Sequence, residues 1–517
     1  MTDWNSGYVI DLGYTHGFYR ELAPSILRFA ALAKGISTST SGDADTSYCE
    51  LGCGQGFSAN LLAAANPDFR FYATDFNPAQ IAGARQLADA AGTKNIHFFD
   101  DSFAQFEART DLPQFDIIAL HGIYSWIAAE HRETIVRFID KRLKPGGLVY
   151  ISYNCLPGWA AAAPLRQLMY FHAKAASGPT GGKLEPALAF VEKMFAANAR
   201  GLAAAGLRER FDNLKGQSRN YVAHEYFNDA WELFYHSEVA ADLSSARCTF
   251  VGSSNLLEHV DAVNLTEPQQ AILKETPDPV LRETLRDFMV SQQFRRDIFA
   301  RGAVALSPGE AMESWLDTRF ALIVREGSVS LTVKGALGEA NLQEDVYRPV
   351  VDAFARQAAS GKSAAISLRQ LLAENPKVAE LGWGRIQQAI IILAGAGYLH
   401  PCPVDAKNDG KRRESAKRFN LAVMDKARYT ADLQALAAPV IGGGITIGRF
   451  QQLLLLALIN NEKDPAGFVW RILQAQNQRL AKEGKALETE EDNIAELNRL
   501  YSDLQQSLPT LKTLGVI

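Results

Sequence analysis

Between Thr46 and Asn154, short runs rich in aromatic and β-branched residues alternate with Ala-rich stretches whose apolar positions recur at helical spacing. The runs are SYCELG (47–52), FRFYATD (69–75), NIHFFD (95–100), FDIIAL (115–120) and LVYISYN (148–154). Between them, SANLLAAAN (58–66), PAQIAGARQLADAAG (78–92) and AAEHRETIVRFIDKRL (128–143) predict helices, the middle one closed by Gly92 as its C-cap. KPGG (144–147) breaks the last helix before the next strand. Strands separated by helices pair in parallel, so this part of the chain predicts a doubly wound, Rossmann-like α/β domain.

Beyond Asn154 the pattern changes to long amphipathic helices over about 161–175 and 185–215, parted by the Gly-rich SGPTGGK (177–183). ARCTFVGSSNL (246–256) predicts a further strand, with mostly helical sequence following to about Arg301. From Ala303 onward, RFALIVREG and SVSLTVKG predict a hairpin turning at Glu326-Gly327, and a helix is predicted over 343–358. AISLRQLLAENP and WGRIQQAIIILAGAGYL, within 364–400, give helix, turn, helix and a strand-like exit, the outline of a winged helix. AKNDGKRRESAKR (406–418) reads as a basic, solvated linker. These breaks divide the chain into 1–175, 176–302, 303–405 and 406–517, with no internal repeat of fixed period.

The 517 residues suit several domains, and 47% hydrophobic with 21% charged residues is the balance of globular sequence. A net charge of −5 provides no global positive field for nucleic acid or an anionic bilayer. The second helix of the winged-helix outline offers only Arg385, Gln387 and Gln388 to a groove, where phosphate anchoring needs several Lys or Arg, so no nucleic-acid partner is expected. Five cysteines, odd in number and without a C-x-x-C pair, argue against a disulfide framework and a zinc knuckle; no metal is expected, and a reducing cytoplasm is. The opening MTDWNSGYVIDLGYTHGFYRELAP lacks the basic and apolar regions of a secretory signal. The densest apolar runs, Leu453 to Ile459 and Ala389 to Leu393, fall short of the roughly 20 residues needed to cross a bilayer and predict buried helices instead.

The candidate chemistry centres on Cys49-Glu50-Leu51-Gly52-Cys53-Gly54-Gln55-Gly56, which closes the first strand and opens the first helix. Glycines at 52, 54 and 56 let a ligand approach the backbone, and the helix N-terminus presents free N–H groups. A nicotinamide dinucleotide fold would want G-x-G-x-x-G for a pyrophosphate, whereas the spacing here is G-x-G-x-G followed by Phe57. Asp75 ends the second strand, 25 residues after Glu50, where a carboxylate can accept both hydroxyls of a ribose. At the third strand end, Asp101 (or its neighbour Asp100) with Ser102 can meet an adenine amino group, while Phe76 and Phe103 offer flat faces. The order of these groups suits an adenosine without a diphosphate, and hence S-adenosylmethionine.

The set ELGCGQG (50–56), ATDFNP (73–78), DDSF (100–103), LHGIYSW (120–126) and SYNCLPGW (152–159) resembles the class I S-adenosylmethionine-dependent methyltransferases. More closely, the chain resembles the bacterial family carrying a methyltransferase regulatory domain, which includes rickettsial outer-membrane-protein lysine methyltransferases. YVAHEYFNDAWELFYHSEVAADLSSARCTFVGSSNL (221–256) and FMVSQQFRRDIFARG (288–302) resemble the regulatory segment, and 364–400 the family's winged-helix-like part. The resemblance implies a protein acceptor methylated at lysine, with the helical and winged-helix-like parts recruiting substrate or pairing subunits in a homodimer. A methyltransferase for a small molecule or cell-envelope glycan, and a non-catalytic adenosyl-binding regulator, are the alternatives.

In this reading Gly52, Gly54 and Gly56 hold the methionine part of the cofactor, Asp75 the ribose, and Asp101 and Ser102 the adenine beside the flat face of Phe76, with Glu50 a further cofactor-binding residue. His121, at the end of the fourth strand, lies where that strand meets the sulfonium in such folds. Tyr153, Asn154 and Trp159, after the fifth strand, are expected to face the acceptor, with Tyr124, Trp126 and Trp159 walling a methylammonium by cation–π contact. His224 and Glu225 are candidates for taking the acceptor's proton or holding it.

Overall fold

In this computed structural model, which describes residues 16–38, 46–361, 363–403, 409–482 and 484–517, the predicted strands form one sheet. Its first half is built from β1 (Ser47–Leu51), α2 (Phe57–Ala65), β2 (Arg70–Thr74), α3 (Pro78–Ala91), β3 (Ile96–Phe99), α4 (Phe103–Ala108), β4 (Phe115–Leu120), α5 (Ala129–Arg142) and β5 (Leu143–Asn154), preceded by α1 (Pro24–Ala33). Strands β1 and β4 are buried at every residue, the polar Ser47, Glu50 and Asp116 included, as strands covered on both faces are. Neighbours β3-β2-β1-β4-β5 are parallel.

The 176–302 segment supplies the rest of the sheet. After α6 (Ala163–Ala175), α7 (Thr180–Ala196), α8 (Leu207–Lys215), α9 (Arg219–Tyr226) and α10 (His236–Ser244) come β6 (Cys248–Ser253), α11 (Pro279–Val290) and β7 (Phe294–Arg301). Strand β7 runs antiparallel between β5 and β6, giving the order β3-β2-β1-β4-β5-β7-β6. That inserted antiparallel strand departs from the all-parallel order of dinucleotide-binding folds. It also corrects the helical expectation up to Arg301. The continuous helix expected over 185–215 is interrupted as well: Gly206, at φ +74°, starts α8 afresh, and Thr180 already begins α7 inside the Gly-rich stretch.

Farther along, the expected hairpin across Glu326-Gly327 does not form. Arg319–Leu322 is flanked on both sides, by Ile366–Ser367 and Leu399–Pro401, because its buried Phe320, Ala321 and Leu322 need neighbours at both edges. Thr332–Gly335 pairs instead with Gly338–Asn341, burying Val333 while Thr332 and Lys334 face solvent. The helix–turn–helix–strand succession of 364–400 is present as Leu368–Glu374, Pro376–Ala379, Trp383–Gly395 and Leu399–Pro401.

The run read as a linker is largely a helix. Residues 406–408 lie outside the described residues, but from Asp409 the chain forms α12 (Asp409–Lys426). Its Ala416, Phe419, Val423 and Met424 are buried, and Arg412 from the basic run is buried with them, so the helix is packed rather than solvated. Phe419 stacks on Phe57 with centroids 6.2 Å apart, and Lys411 pairs with Asp68 at 2.8 Å. Helix α2 thus lies between the sheet and the C-terminal helices, and all nine of its residues are buried. The apolar runs at 389–393 and 453–459 lie in Trp383–Gly395 and Arg449–Ile459, largely buried as expected. Among the described residues, no helix is long and apolar enough to cross a membrane.

Candidate functional site

At the carboxyl ends of β1, β2, β3 and β4 a cleft opens, lined by Glu50, Gly52, Gly54, Gly56, Asp75, Phe76, Asp101, Ser102, Phe103, His121 and Trp126 among others. Gly52, Gly54 and Gly56 have φ of +70°, +53° and +62°, a region that residues with a Cβ enter only with strain. A Cβ at Gly52 would lie 2.3 Å from Ile123 Cδ1, and one at Gly56 would lie 2.6 Å from Ala84 Cβ. The outer two glycines are therefore required by the packing of the protein on itself as well as by backbone conformation.

Two buried carboxyls flank the loop. Asp75 accepts from the Gly54 N–H at 2.9 Å through Oδ2 and from the Asn77 N–H at 3.0 Å through Oδ1. It thus pins the glycine loop to β2, and each oxygen keeps a further lone pair for a ligand. Burial outweighs those two hydrogen bonds and pushes its acid constant up to about 6. Glu50 is 5% exposed, and its Oε2 has no hydrogen-bond partner among the described residues. Burial, reinforced by the negative charge of Asp75, pushes Glu50 up to about 8, so this carboxyl is mostly protonated at neutral pH.

At the third strand end, Asp101 lines the cleft and Asp100 does not. Asp100 pairs outward with Arg85 at 3.4 Å, whereas Asp101 Oδ2 accepts from Arg109 at 3.0 Å. Ser102 is the N-cap of α4: its hydroxyl accepts from the Gln105 N–H and its own N–H donates to the Gln105 side chain. Its hydroxyl thus has a structural task beside any contact with a base.

His121 faces the cleft, with Nδ1 2.7 Å from the Tyr150 hydroxyl. Burial is the main cause holding its imidazole down at about 4, so the ring is neutral at pH 7. Tyr19 covers it, ring centroids 3.8 Å apart. The segment carrying Tyr19 escaped the sequence reading. His16, Gly17 and Tyr19 line the cleft, tied to the start of α2 by Ser58, whose hydroxyl donates to Gly17 O at 2.9 Å and accepts from the Tyr19 N–H at 3.3 Å. The only signal was an aromatic-rich GFY ahead of the first strand, with nothing local to tie it to the glycine loop.

The residues expected to face the acceptor separate into different surroundings. Along β5 side chains alternate, so Tyr150 and Ser152 reach His121 and Gly122 on one face while Tyr153 points to the other. Tyr153 is fully buried there and donates to Asp297 Oδ2 at 2.6 Å, so its expected place at the acceptor is corrected to the core. Trp159 packs among α6–α9 with the Arg210 guanidinium 3.9 Å from its ring centroid. Tyr124 is buried and donates to Asp242 at 2.6 Å. Of the three aromatics expected to form a cage, only Trp126 lines the cleft. Asn154 and Glu225, by contrast, meet: Asn154 Nδ2 donates to Glu225 Oε1 at 2.9 Å, and both are buried. Burial pushes Glu225 up to about 7. His224 is buried beside it on α9.

Residues 49–149 match the family described as Methyltransferase domain, and residues 218–301 match the one described as Predicted methyltransferase regulatory domain. An uncharacterized protein of Synechocystis sp., sll1526, is 44% identical over 515 residues, 99% of either chain. The chain belongs to this family of class I methyltransferases with a regulatory domain. The methyltransferase is also 25% identical over 260 residues to an uncharacterized protein of Rickettsia prowazekii, RP789, covering 50% of this chain and 46% of that one. Its fold is that of PKMT2 from Rickettsia typhi, solved in complex with AdoHcy, with TM-score 0.68 at 17% identity over 95% of this chain and 98% of the other. The regulatory match spans α9 to β7, so the regulatory segment completes the methyltransferase sheet. The protein is an enzyme whose cofactor is S-adenosylmethionine.

Proposed function

We propose that this methyltransferase alkylates the side-chain nitrogen of a lysine in a protein, with Asn154 and Glu225 meeting the acceptor amine. The observation that carries this reading is the buried Asn154–Glu225 hydrogen bond at the end of β5. It leaves the amide Oδ1 and the carboxyl Oε2, two acceptors at one place, which is what an amine carrying two or three N–H bonds requires. A lysine ammonium must lose a proton before it attacks, at a cost of roughly 4.6 kcal/mol from an ordinary constant of about 10.4 to pH 7. Glu225, held up at about 7, is matched to taking that proton near neutral pH. Tyr221 lies in the same helix, and Tyr19, at the wall of the cleft, lies against His121.

The cleft fits S-adenosylmethionine by chemistry. Glu50 Oε2, a buried oxygen without a partner among the described residues, suits the ammonium of the methionine end. Asp75 keeps lone pairs for ribose hydroxyls, and Asp101 with Phe76 and Phe103 offers an acceptor and two flat faces for adenine. When bound, the cofactor supplies a sulfonium methyl, which leaves sulfur as the lysine nitrogen bonds to it. The protein aligns the two and keeps water out, with neutral His121 and Tyr19 at that wall. PKMT2, alike over its whole length and solved with AdoHcy, supports the same assignment. Five unpaired thiols accord with the cytoplasm as its place of work, and the outer helices α6–α9 suit recruitment of a protein or pairing of subunits.

The test is incubation of the purified protein with isotopically labelled methyl donor and a cell extract, followed by mass-spectrometric identification of the labelled residue. Label on lysine nitrogen in a protein is expected. Label on a small molecule or glycan, or none at all, refutes the reading.

A further inference from the structure

We infer that a second, polar cavity, remote from the cofactor loop, binds a small zwitterion of the amino-acid type. The cavity, of about 270 Å³, has room for several water-sized groups and lies among β6, α11, β7, the end of α1 and the strand Thr332–Gly335. None of its lining residues borders the cofactor cleft.

The lining of this cavity holds acceptors left unfilled among the described residues. Asp287 is 1% exposed; Oδ1 accepts from Arg295 at 2.5 Å, but Oδ2 has no partner among the described residues. His259 Nε2 lies 2.6 Å from Ser253 O and must donate to it, which makes Nδ1 an acceptor; Nδ1 is buried and also unpartnered. Glu283 lines the same wall. Such an array calls for a ligand carrying N–H donors and positive charge.

Cations line the same cavity. Lys34 and Lys334 both line the cavity, and among the described residues neither ammonium has an ion pair within 4 Å. Lys34 reaches it across Gly252, where a Cβ would stand 3.0 Å from Lys34 Cγ and 3.4 Å from His259 Cε1, so the absence of a side chain there gives the lysine its route. Arg286, also in the lining, is committed to Asp261 at 2.8 Å. A carboxylate fits the two free ammonium groups, and an ammonium or guanidinium fits the acid side. Both signs of charge in the lining of one small cavity select a ligand bearing both.

The acid side is also wired to the methyltransferase sheet. Arg295, bonded to Asp287, donates through Nε to Asp297 at 2.8 Å, and Asp297 accepts from the Tyr153 hydroxyl at 2.6 Å, one residue from Asn154.

Calorimetric titration of the full-length protein with arginine and with lysine tests the inference, n-butylamine and acetate serving as single-charge controls. Binding of at least one amino acid with a dissociation constant at or below about 1 mM is expected, tighter than either control, and weakened at least about tenfold by Lys34→Gln and by Lys334→Gln. Both substitutions remove cations without ion pairs, and an unchanged melting temperature certifies the fold. Prior saturation with S-adenosylhomocysteine leaves the titration in place. The inference falls if neither amino acid binds up to about 10 mM, if the controls bind as well, if both variants bind as the parent does, or if S-adenosylhomocysteine competes.

Discussion

Replacing Glu50 with glutamine should make the free enzyme more stable and a poorer binder of its cofactor. In the folded protein this carboxyl titrates at about 8, against 4.5 ordinarily, so folding takes up a proton across that whole interval. An acid whose constant rises on folding costs stability as pH rises, at about 1.4 kcal/mol per pH unit between the two constants. At pH 7 the cost is about 3 kcal/mol, an upper bound for one buried group, and glutamine of the same shape removes it. Thermal melts at several pH values between 5 and 8 should therefore show the variant gaining on the parent as pH rises. Binding is the other half of the reasoning. An ammonium seated on Glu50 ionises it, so S-adenosylhomocysteine should release close to one proton at pH 7 from the parent, read as buffer-dependent enthalpy in phosphate and Tris. The glutamine variant should release correspondingly less and bind about ten- to a hundredfold more weakly, for one lost charged hydrogen bond of about 1.5–3 kcal/mol. A variant that melts in parallel with the parent at every pH, or that keeps full affinity and proton release, refutes the assignment.

Gly52→Ala should cost about 1–2 kcal/mol for the left-handed backbone and about 1–3 kcal/mol more for the contact with Ile123, seen as a lower melting temperature. Adding Ile123→Ala should recover only the second part, and full recovery would refute the backbone contribution. Tyr153→Phe should lose about 1–3 kcal/mol of stability through the Asp297 contact while leaving S-adenosylhomocysteine affinity unchanged; weakened affinity would return Tyr153 to the cleft. Glu225→Gln should lower kcat by at least about a hundredfold and abolish a rise of activity with pH around 7, where the parent carboxyl becomes a base. An unaltered pH profile would remove Glu225 from proton transfer.

The five parallel strands were legible because their runs are rich in aromatic and β-branched residues and alternate with Ala-rich stretches at helical spacing. The glycine loop with Asp75 and Asp101 was legible for a related reason: strand ends in such a sheet converge, so residues at successive ends share a cleft. Strand β7 hid because its buried Arg295 and Asp297 pair with each other, giving FRRDIFAR the polarity of a surface segment. Tyr153 was misplaced because proximity to a strand end does not say which face a side chain takes, and a shift of one residue reverses it. The part of α12 read as linker looked solvated because its basic residues outnumber apolar ones in the stretch considered; the apolar Phe419, Val423 and Met424 follow just after it. His16–Tyr19 reach the cleft through a single serine on α2, a contact that no local pattern encodes.

Helix α2 carries no solvent-facing side, and Phe419 and Gly442 from the far part of the chain grip it through Phe57 and Asn66. The glycine loop at its head is thereby clamped from behind by residues more than 350 positions away in sequence. A compound that wedged open the seam between α2 and α12 would slacken the loop without entering the adenosyl pocket, so inhibition of this enzyme need not compete with its methyl donor.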